Sequence, residues 1–553
     1  MSGGIRAEPQ IPPGGGSSPT VVTGRGGARP FRDWLSPLRV TILVSTVLAL
    51  AIRLFTLTRP GFLTGISEYD DGVYLGAAIR LTQGALPYRD FAFVQPPGIL
   101  LLMTPAAVVA KLTGTAAAMG FARILTVLAS TACVPLAGNL VRNRGTLVTA
   151  VTCGILAVYP DDVAAAHTLL LEPWMNLFCL IAANAAFSRG TLARPSRLAW
   201  AGAALGVAGV VKFWAVVPAV VLLAGCLLVA DQRARRTLAC VAGLAAGFVL
   251  PAAPFMLAAP ATFIRSTLLD QASRTGTFVP LSLRLAHVTG LIDVLNWHGR
   301  LSLHSGAQSL FARSIVAYIS SASAGWLPLA VTVTGVAVIA IGHAAGRRRL
   351  SHLQWFSLAT AVGASALILS YSAFFYHYPA FGAPWLALAV GGAAAGIPGS
   401  PRLRRALGAA FAVVIVGLAA LELHEVAPVS VPTTVAAGRL IPAGACVVTD
   451  ETPLTISADR FTPLRPGCPD VIDSLATTLA LSHGVSVQGG AANSGPVVAA
   501  WQSILSRADY VWLSPGNTRR IPWTPELTTW FRRTFRPVRW HGPGTGQLYA
   551  RVG

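Results

Sequence analysis

The fold is decided by two neighbouring stretches, VTILVSTVLALAIRLFTL at Val40–Leu57 and EYDDGVY at Glu68–Tyr74. The first stretch is apolar apart from Arg53, and its length approaches the ~20 residues that a helix needs to cross a bilayer. The second stretch brings three carboxylates together directly after it. Because charges near a bilayer are costly, a cluster of acids just beyond an apolar segment indicates a functional site at the membrane surface.

The composition extends this interpretation to the whole chain. Of the 553 residues, 54% are hydrophobic and only 11% are charged, against about 25% in a typical soluble domain. A single buried core stops growing near ~250–300 residues, so one large soluble core does not explain the apolar excess. The composition excludes an ordinary soluble enzyme and a disordered chain, and it predicts a polytopic membrane protein.

The formal net charge of +21 has two interpretations. A basic soluble protein suggests nucleic acid, whereas a basic membrane protein carries arginines in its cytoplasmic loops. Here the arginines fall in short runs between apolar segments, so we expect no nucleic-acid partner. The runs that we assign to the cytoplasmic side are Arg142–Arg144, Arg189–Arg197, Arg233–Arg236, Arg347–Arg349 and Arg402–Arg405.

The chain divides into three regions. Residues 1–35 are rich in Gly, Pro and Ser and predict a disordered cytoplasmic tail. The membrane domain is predicted to comprise residues 36–422. Within that domain we place 58–118 outside as one long loop with interfacial helices at about 72–84 and 98–112. The apolar stretch Gly98–Leu112 has only about 15 residues, too few for a span, and counting it as one would put the arginine runs on the wrong side.

Eleven spans follow from this arrangement, with the N-terminus cytoplasmic and the C-terminus extracytoplasmic in the plasma membrane. The pair 198–212 and 213–230 is short enough to be miscounted. Asp161 and Asp162 would form a solvated turn after Pro160. The spans are expected at about 40–57, 119–140, 146–160, 166–187, 198–212, 213–230, 237–258, 318–342, 353–371, 379–397 and 406–422.

Residues 423–553 have a different composition, with more Asp, Thr, Pro and Ser. Strands are expected at 445–449, 510–513 and 548–551, and helices at 474–482 and 497–507. The predicted fold class is therefore an all-α polytopic membrane protein with a small C-terminal α/β domain outside the membrane. Cys446 and Cys468 lie in this oxidising compartment, as a disulfide or as two unpaired cysteines.

Two motifs in the loop after the first span carry the chemistry. Asp70 and Asp71 open a predicted helix, where they could simply cap the helix dipole. The string DDGVYLGAAIRLTQGALPYRDFAFVQPPG at 70–98 then ends in Gln95-Pro96-Pro97. An Asp-Asp-x-x-Tyr motif after the first span, followed by Pro-Pro in the same loop, resembles the GT-C fold glycosyltransferases that use polyprenyl-phosphate sugars. The nearest patterns are those of the protein O-mannosyltransferases and aminoarabinose transferases.

The resemblance implies roles for the loop residues. Asp70 matches the family's catalytic base, and a carboxylate can take the proton of an acceptor hydroxyl during attack. Asp71 replaces the family's Glu and could bind the donor or a divalent metal, although no metal ligand is assigned. Tyr74 completes the motif. Gln95 stands where many relatives have Lys, which removes a cation from the place where the lipid phosphate is held.

Other residues could supply the missing cation or a second acid. Lys212 is the best substitute for that cation, unless it merely snorkels to the interface. Arg274 is a phosphate candidate or an ordinary loop charge. Glu172 matches a second acidic position of the family, where it would orient the acceptor or support Asp70. His377 and Tyr378 could bind phosphate or sugar, or they belong to an interfacial aromatic belt.

The implied activity is transfer of a hexose or pentose from a polyprenyl-phosphate donor to an extracytoplasmic glycan, lipid or protein, with inversion. A transporter or lipid-linked-sugar flippase is the alternative, for which broken helices and charges at the bilayer midplane are expected. A non-catalytic assembly protein is a third, weaker option. The donor, membrane lipid and the acceptor are the expected partners.

Overall fold

The structure, a computed structural model, describes residues 36–228, 231–272, 279–290, 326–345, 350–397, 399–516, 519–539, 542 and 544–552. The predicted tail 1–35 and Arg274 lie outside these residues. The first ten helices are α1 (Pro37–Leu57), α2 (Tyr69–Thr82), α3 (Gly98–Thr113), α4 (Thr115–Val141), α5 (Thr146–Val158), α6 (Pro160–Ala166), α7 (Leu171–Ala186), α8 (Pro195–Val211), α9 (Val216–Leu228) and α10 (Arg233–Ala258).

The helices that follow complete the membrane domain. They are α11 (Pro260–Ile264), α12 (Asp270–Ala272), α13 (Leu281–Val288), α14 (Trp326–Ala345), α15 (His352–Ser370), α16 (Ala383–Ala394) and α17 (Pro401–Val426). Among the described residues, five helices are long and apolar enough to cross a bilayer, and the bent pair α5–α6 makes a sixth. The membrane class is confirmed, whereas the count of eleven spans stays a prediction. The two expected loop helices are present as α2 and α3.

The bend between α5 and α6 corrects the expectation for Asp161 and Asp162. The two helices meet at 52° at Pro160, where proline lacks the amide hydrogen that would continue α5. Both carboxylates are fully buried, so they do not form a solvated turn. Asp162 accepts hydrogen bonds from Arg53 of α1 at 2.6 Å and from Ser130 of α4 at 2.9 Å. A buried charge needs such a partner, and the pair ties three helices together at the bend.

A second break separates α8 from α9. Lys212 leaves the helix in an extended conformation, with φ −154° and ψ 129°, and the 3₁₀ turn Phe213–Ala215 leads into α9. The expected spans 198–212 and 213–230 therefore meet at this lysine. Beside it, Gly202 and Gly206 of α8 rest against the backbone of α10, and Gly243 and Gly247 of α10 rest against α8. Small residues four positions apart allow this close helix contact.

The C-terminal domain is the predicted α/β unit. Two strands of the membrane domain, β1 (Phe187–Ser188) and β2 (Thr191–Leu192), form a separate hairpin. The sheet of the C-terminal domain consists of β3 (Val447–Thr449), β4 (Tyr510–Leu513), β5 (Phe535–Pro537) and β6 (Gln547–Arg551). The strand order is β3-β4-β6-β5, with β3 and β4 parallel and the other pairs antiparallel. The strand β5 was not expected. The helices are α18 (Val435–Gly438), α19 (Thr452–Ser457), α20 (Ser474–Leu481), α21 (Gly495–Leu505) and α22 (Pro525–Thr534).

Covalent and ionic bonds fix this domain. Cys446 is disulfide-bonded to Cys468. Arg80 of α2 forms an ion pair with Asp470 at 2.6 Å. Gly72 packs so closely on Pro453 that a Cβ atom would overlap it. The C-terminal domain is therefore seated on α2, the helix that begins with the acidic motif.

Two ends of the membrane domain have different chemistry. At one end, Arg144 donates a hydrogen bond to Ser351, and the amide of Leu353 donates to the carbonyl of Gly190. The three interhelical connections that contain or follow the arginine runs at 142–144, 189–197 and 347–349 therefore meet there. At the other end, Thr115 at the start of α4 donates to Ile456 of the C-terminal domain. Helix α4 joins the two ends, and its 27 residues span about 40 Å at 1.5 Å per residue.

Candidate active site

A cavity of about 1070 Å³ lies between the membrane domain and the C-terminal domain. This volume is at the upper end of small-molecule sites, which occupy about 300–1,000 Å³. The walls come from the loop around α2, the break after α8, the segment 371–378 and the C-terminal domain. The polar and charged residues among those that line it are Ser67, Glu68, Tyr69, Asp70, Tyr74, Gln95, Lys212, Thr267, Gln271, Tyr371, Tyr376, His377, Tyr378, Ser430, Glu451, Ser486, Gln488, Arg519 and Arg520.

Asp70 lies in the first turn of α2 and faces this cavity. Its Oδ2 atom accepts a hydrogen bond from the hydroxyl of Tyr74 at 3.0 Å. Side chains four residues apart lie on the same helix face, which explains why the Asp-x-x-x-Tyr spacing places the pair together. One fixed donor orients the carboxylate and leaves it accessible from the cavity, the arrangement that a general base requires.

Asp71, one position further along α2, does not line the cavity and is fully buried. Its Oδ1 accepts from the amide of Leu169 at 2.6 Å, and its Oδ2 forms an ion pair with Arg123 of α4. Arg123 also donates to the carbonyls of Phe62 at 2.6 Å and Gly65 at 2.9 Å. Both oxygens of Asp71 are therefore bonded to protein donors, and the group holds the loop before α2 in place.

Glu68 is the N-cap residue of α2 and lines the cavity two residues before Asp70. One oxygen accepts from the amide of Tyr69 at 2.9 Å, and the other accepts from the hydroxyl of Tyr376 at 2.9 Å. Burial, together with the negative charge of Asp70, raises the pKa of Glu68 to about 7. A carboxyl group that titrates near neutral pH is typical of functional sites. In the sequence, its position two residues before Asp70 is the only signal of such a role.

Lys212 forms another part of the cavity wall. Its Nζ atom lies 2.5 Å from Oε1 of Glu172 and 3.9 Å and 4.6 Å from the ring centroids of Trp214 and Tyr378. A carboxylate and two aromatic faces stabilise the ammonium group in a largely apolar setting. The break after α8 makes this placement available. Trp214 was missed because an aromatic residue in an apolar segment carries no distinctive signal.

Glu172 lies behind the wall and is fully buried. Besides Lys212, its Oε1 atom lies 3.1 Å from Nδ1 of His377, which does line the cavity. Glu172 thus contacts the two candidate phosphate ligands from behind. No contact with Asp70 is described for it, so the expected support of Asp70 has no direct contact behind it, and orientation of the acceptor stays a prediction.

Gln95 lines the cavity. Its carbonyl accepts a hydrogen bond of 2.5 Å from the hydroxyl of Tyr88. Tyr88 has a left-handed backbone with φ 67°, a conformation uncommon for residues other than glycine. This turn shapes the Tyr88–Gln95 segment, so that Gln95 and Lys212 lie on the same cavity.

The C-terminal domain contributes a wall that we did not predict. The guanidinium of Arg520 lies 3.8 Å from the ring centroid of Tyr69 and forms an ion pair with Glu451 at 2.9 Å. Tyr69 in turn donates to Asp473 at 2.8 Å. Residues about 450 positions apart in the chain meet here, and no local pattern reports such a contact.

The structure therefore sorts the predicted site residues into three groups. Asp71 and Glu172 are buried beside the cavity, and Arg274 lies outside the described residues. Within the described part of the chain, no group of three or more His, Cys, Asp or Glu side chains is placed to hold a metal ion. The residues that line the cavity are Asp70, Tyr74, Gln95, Lys212, His377 and Tyr378.

The fold and the cavity define a class, a polytopic membrane protein with the GT-C fold, as the motifs predicted. ArnT from Cupriavidus metallidurans, solved bound to undecaprenyl phosphate, matches with a TM-score of 0.54 and 14% sequence identity, covering 94% of this chain and 98% of that one. No protein-family model and no curated protein matches the sequence. At this identity the likeness establishes the fold.

Two structures from Archaeoglobus fulgidus show the same architecture. The oligosaccharyltransferase AglB, in complex with an inhibitory peptide and a dolichol-phosphate, matches with a TM-score of 0.52 and 10% identity, covering 93% of this chain and 74% of that one. The oligosaccharyltransferase tethered to an acceptor peptide with the NVT sequon matches with a TM-score of 0.53 and 13% identity, covering 94% and 75%. In all three cases nearly the whole of this chain is matched.

Proposed function

We propose that the protein is a membrane glycosyltransferase that moves a sugar from a polyprenyl-phosphate donor to an extracytoplasmic acceptor. The observation that carries this proposal is one cavity with an accessible carboxylate, Asp70, on one wall and a caged cation, Lys212, on another. The fold supports it, since ArnT and AglB, which share this architecture, were solved with lipid phosphates. A transporter would need no such pairing of base and phosphate ligand.

The reaction can be written from these residues. The acceptor hydroxyl attacks the anomeric carbon of the donor while Asp70 takes its proton. The bond between that carbon and the phosphate oxygen breaks, and polyprenyl phosphate leaves with the bonding electrons. Lys212 stabilises the negative charge that develops on the leaving phosphate. Attack from the face opposite the phosphate inverts the anomeric centre.

The remaining residues position these groups. Glu172 fixes the ammonium of Lys212 and lies against His377, which offers a second contact to the phosphate. Tyr74 orients Asp70. Asp71 holds the loop before α2 through Arg123, so we assign it a positioning role. Gln95 can hydrogen-bond the donor but cannot replace a cation.

The proposal includes an orientation in the membrane. The arginine runs would face the cytoplasm and the cavity would face outward, in the plasma membrane, because positive charge favours the cytoplasmic side. A cavity on the outer side would receive lipid-linked donors. The acceptor of the sugar would be a cell-envelope glycan, a lipid or a protein.

The test is transfer of labelled sugar by membranes that contain the protein. A panel of polyprenyl-phosphate donors carrying mannose, arabinose, galactose or aminoarabinose is supplied, and labelled product is measured. We expect Asp70→Asn to reduce transfer by ~10²–10⁴-fold, the usual contribution of a general base. Asp90→Asn, which changes an exposed acid of the same loop, is the control. Transfer that survives Asp70→Asn unchanged, or saturable flux in liposomes without transfer, would overturn the proposal.

A further inference from the structure

A second pocket, of about 270 Å³, opens at the opposite end of the membrane domain. It lies between the C-terminal ends of α4 and α7, the 3₁₀ turn Arg142–Arg144, the turn of the β1–β2 hairpin and the first turn of α8. The helix α7 runs from the cavity at Leu171 to this pocket at Asn184, about 20 Å at 1.5 Å per residue, so the pocket has no part in the proposed transfer. The residues that line it are Asn139, Leu140, Arg142, Asn143, Asn184, Phe187, Ser188, Arg189, Gly190 and Arg197.

The lining is basic and rich in hydrogen-bond donors. It contains three arginines, three asparagines and a serine, and no acidic side chain lines it in the part of the chain that the structure describes. Arg197 donates to the carbonyl of Asn184 at 2.6 Å. Arg142 and Arg189 are exposed and have no hydrogen-bond or ion-pair partner among the described residues. Two guanidinium groups are therefore available to a ligand.

The hairpin turn presents one of these arginines by its backbone geometry. Arg189 and Gly190 both have left-handed backbones, with φ 52° and 84°. Positive φ at both loop residues is typical of the tight turns that connect the strands of two-residue hairpins. The negative charge near the pocket is weaker than the positive charge of its arginines. The C-terminal ends of α4 and α7 contribute about half a negative charge each, less than the three guanidinium groups. The pocket therefore keeps a net positive potential.

Apolar side chains flank the pocket on the membrane side. Trp200 follows Arg197 by three positions on α8 and is 74% exposed, and Ile181 precedes Asn184 by three positions on α7 and is 38% exposed. Residues three apart on a helix are neighbours, so both lie next to pocket residues. Tryptophan is enriched where a membrane protein meets the lipid head groups. A ligand here would meet positive charge and acyl-chain contacts together.

We propose that this arginine pocket, defined by Arg142, Arg189 and Arg197, binds the phosphate group of an anionic phospholipid. Arginine holds phosphate through paired N–H donors, and basic pockets between membrane helices are suited to anionic head groups. Arg142 and Arg189 contact the phosphate, Asn143 and Ser188 contact the glycerol oxygens, and the acyl chains run along Trp200 and Ile181.

The test uses the full-length protein, purified in mild detergent and incubated with equimolar cardiolipin and phosphatidylcholine. Bound lipid is measured by native mass spectrometry. We expect the wild type to retain cardiolipin, and Arg142→Gln combined with Arg189→Gln to retain at least tenfold less. The control, Arg402→Gln combined with Arg405→Gln, removes the same charge from another basic run and retains as much as the wild type. Thermal unfolding checks that both variants are folded.

Two results would overturn the proposal. Equal cardiolipin retention by the wild type and the Arg142/Arg189 variant would show that the lipid binds elsewhere. Displacement of cardiolipin by an equal concentration of inorganic phosphate would assign the pocket to a soluble phosphate ligand instead. Neither outcome bears on Asp70, so the glycosyltransferase proposal is tested separately.

Discussion

Asp70 and Asp71 are adjacent carboxylates with opposite surroundings. Asp70 faces a large cavity and has one fixed donor, Tyr74. Asp71 is sealed beneath α2, where Arg123 and the amide of Leu169 occupy both of its oxygens. A one-residue step along a helix turns a side chain by about 100°, since a turn has 3.6 residues. In the proposed mechanism, one acid of the pair therefore supplies the chemistry, and the other secures the loop that carries it.

The largest effect should come from breaking the buried pair. We expect Arg123→Met to destabilise the protein by about 3–5 kcal/mol, because removal of one partner leaves the buried carboxylate of Asp71 uncompensated. The measurement is thermal unfolding of the purified protein. Arg89→Met, which removes a surface arginine paired with Asp90, should leave unfolding unchanged. Equal unfolding for Arg123→Met and the wild type would refute the structural role of the Asp71 cluster.

The disulfide should rank second. Replacing Cys446 and Cys468 with serine releases a loop of 22 residues, and loss of such a bond costs about 2–5 kcal/mol in small domains. We expect the C-terminal domain to unfold earlier and the cavity wall around Arg520 to loosen. Limited proteolysis of wild-type and double-serine proteins measures this. The prediction fails if both proteins are cleaved at the same rate.

Lys212 tests the cavity side of the comparison. Lys212→Met removes the cation proposed to hold the donor phosphate and to stabilise the charge that develops on it, so we expect kcat/KM for the donor to fall ~10–100-fold, about 1.4–2.7 kcal/mol. Lys212→Arg should restore part of the affinity, and Lys111→Met, at an exposed site on α3, should have no effect. Donor titration in the transfer assay gives these values. An unchanged kcat/KM in Lys212→Met would remove this residue from the donor site.

Glu68 should produce the smallest effect, visible as a pH dependence. Its pKa of about 7 means that it is neutral below that pH and ionised above it, where its charge repels an anionic donor. We expect the donor KM to rise a few-fold between pH 6 and pH 8, and Glu68→Gln to abolish that rise. A persistent rise in the variant would assign the titration to another group.

The same group sets the sign of a stability effect. The pKa of Glu68 is 4.5 in the unfolded chain and about 7 in the folded protein. Between these two pH values the folded state keeps a proton that the unfolded state has lost, so Glu68 makes the free energy of unfolding fall as pH rises. Glu68→Gln should flatten this slope in thermal unfolding.

Much of the fold was predictable because apolar segments and turn residues report helix positions locally. The helices α2 and α3 and the strands β3, β4 and β6 follow from composition and alternation. The strand β5 was missed because Phe535–Pro537 is short and ends in proline, which is uncommon within strands.

The partners of buried charges were not predictable. Arg53 and Asp162 lie 109 positions apart, and Arg123 and Asp71 lie 52 apart. The sequence indicates that such charges need partners, but it does not identify them. The same limit applies to the cavity, where Asp70 was found through its motif and Arg520 could not be found at all.

The most direct test pairs Asp70→Asn with Asp71→Asn in the purified protein, with sugar transfer, unfolding temperature and binding of undecaprenyl phosphate measured for both. Asp70→Asn should unfold within ~2 °C of the wild type and bind the lipid phosphate while losing transfer. Asp71→Asn should unfold at least ~5 °C lower. The reverse pattern, a destabilised Asp70→Asn and a stable but inactive Asp71→Asn, would contradict the assignment of chemistry to Asp70 and of structure to Asp71.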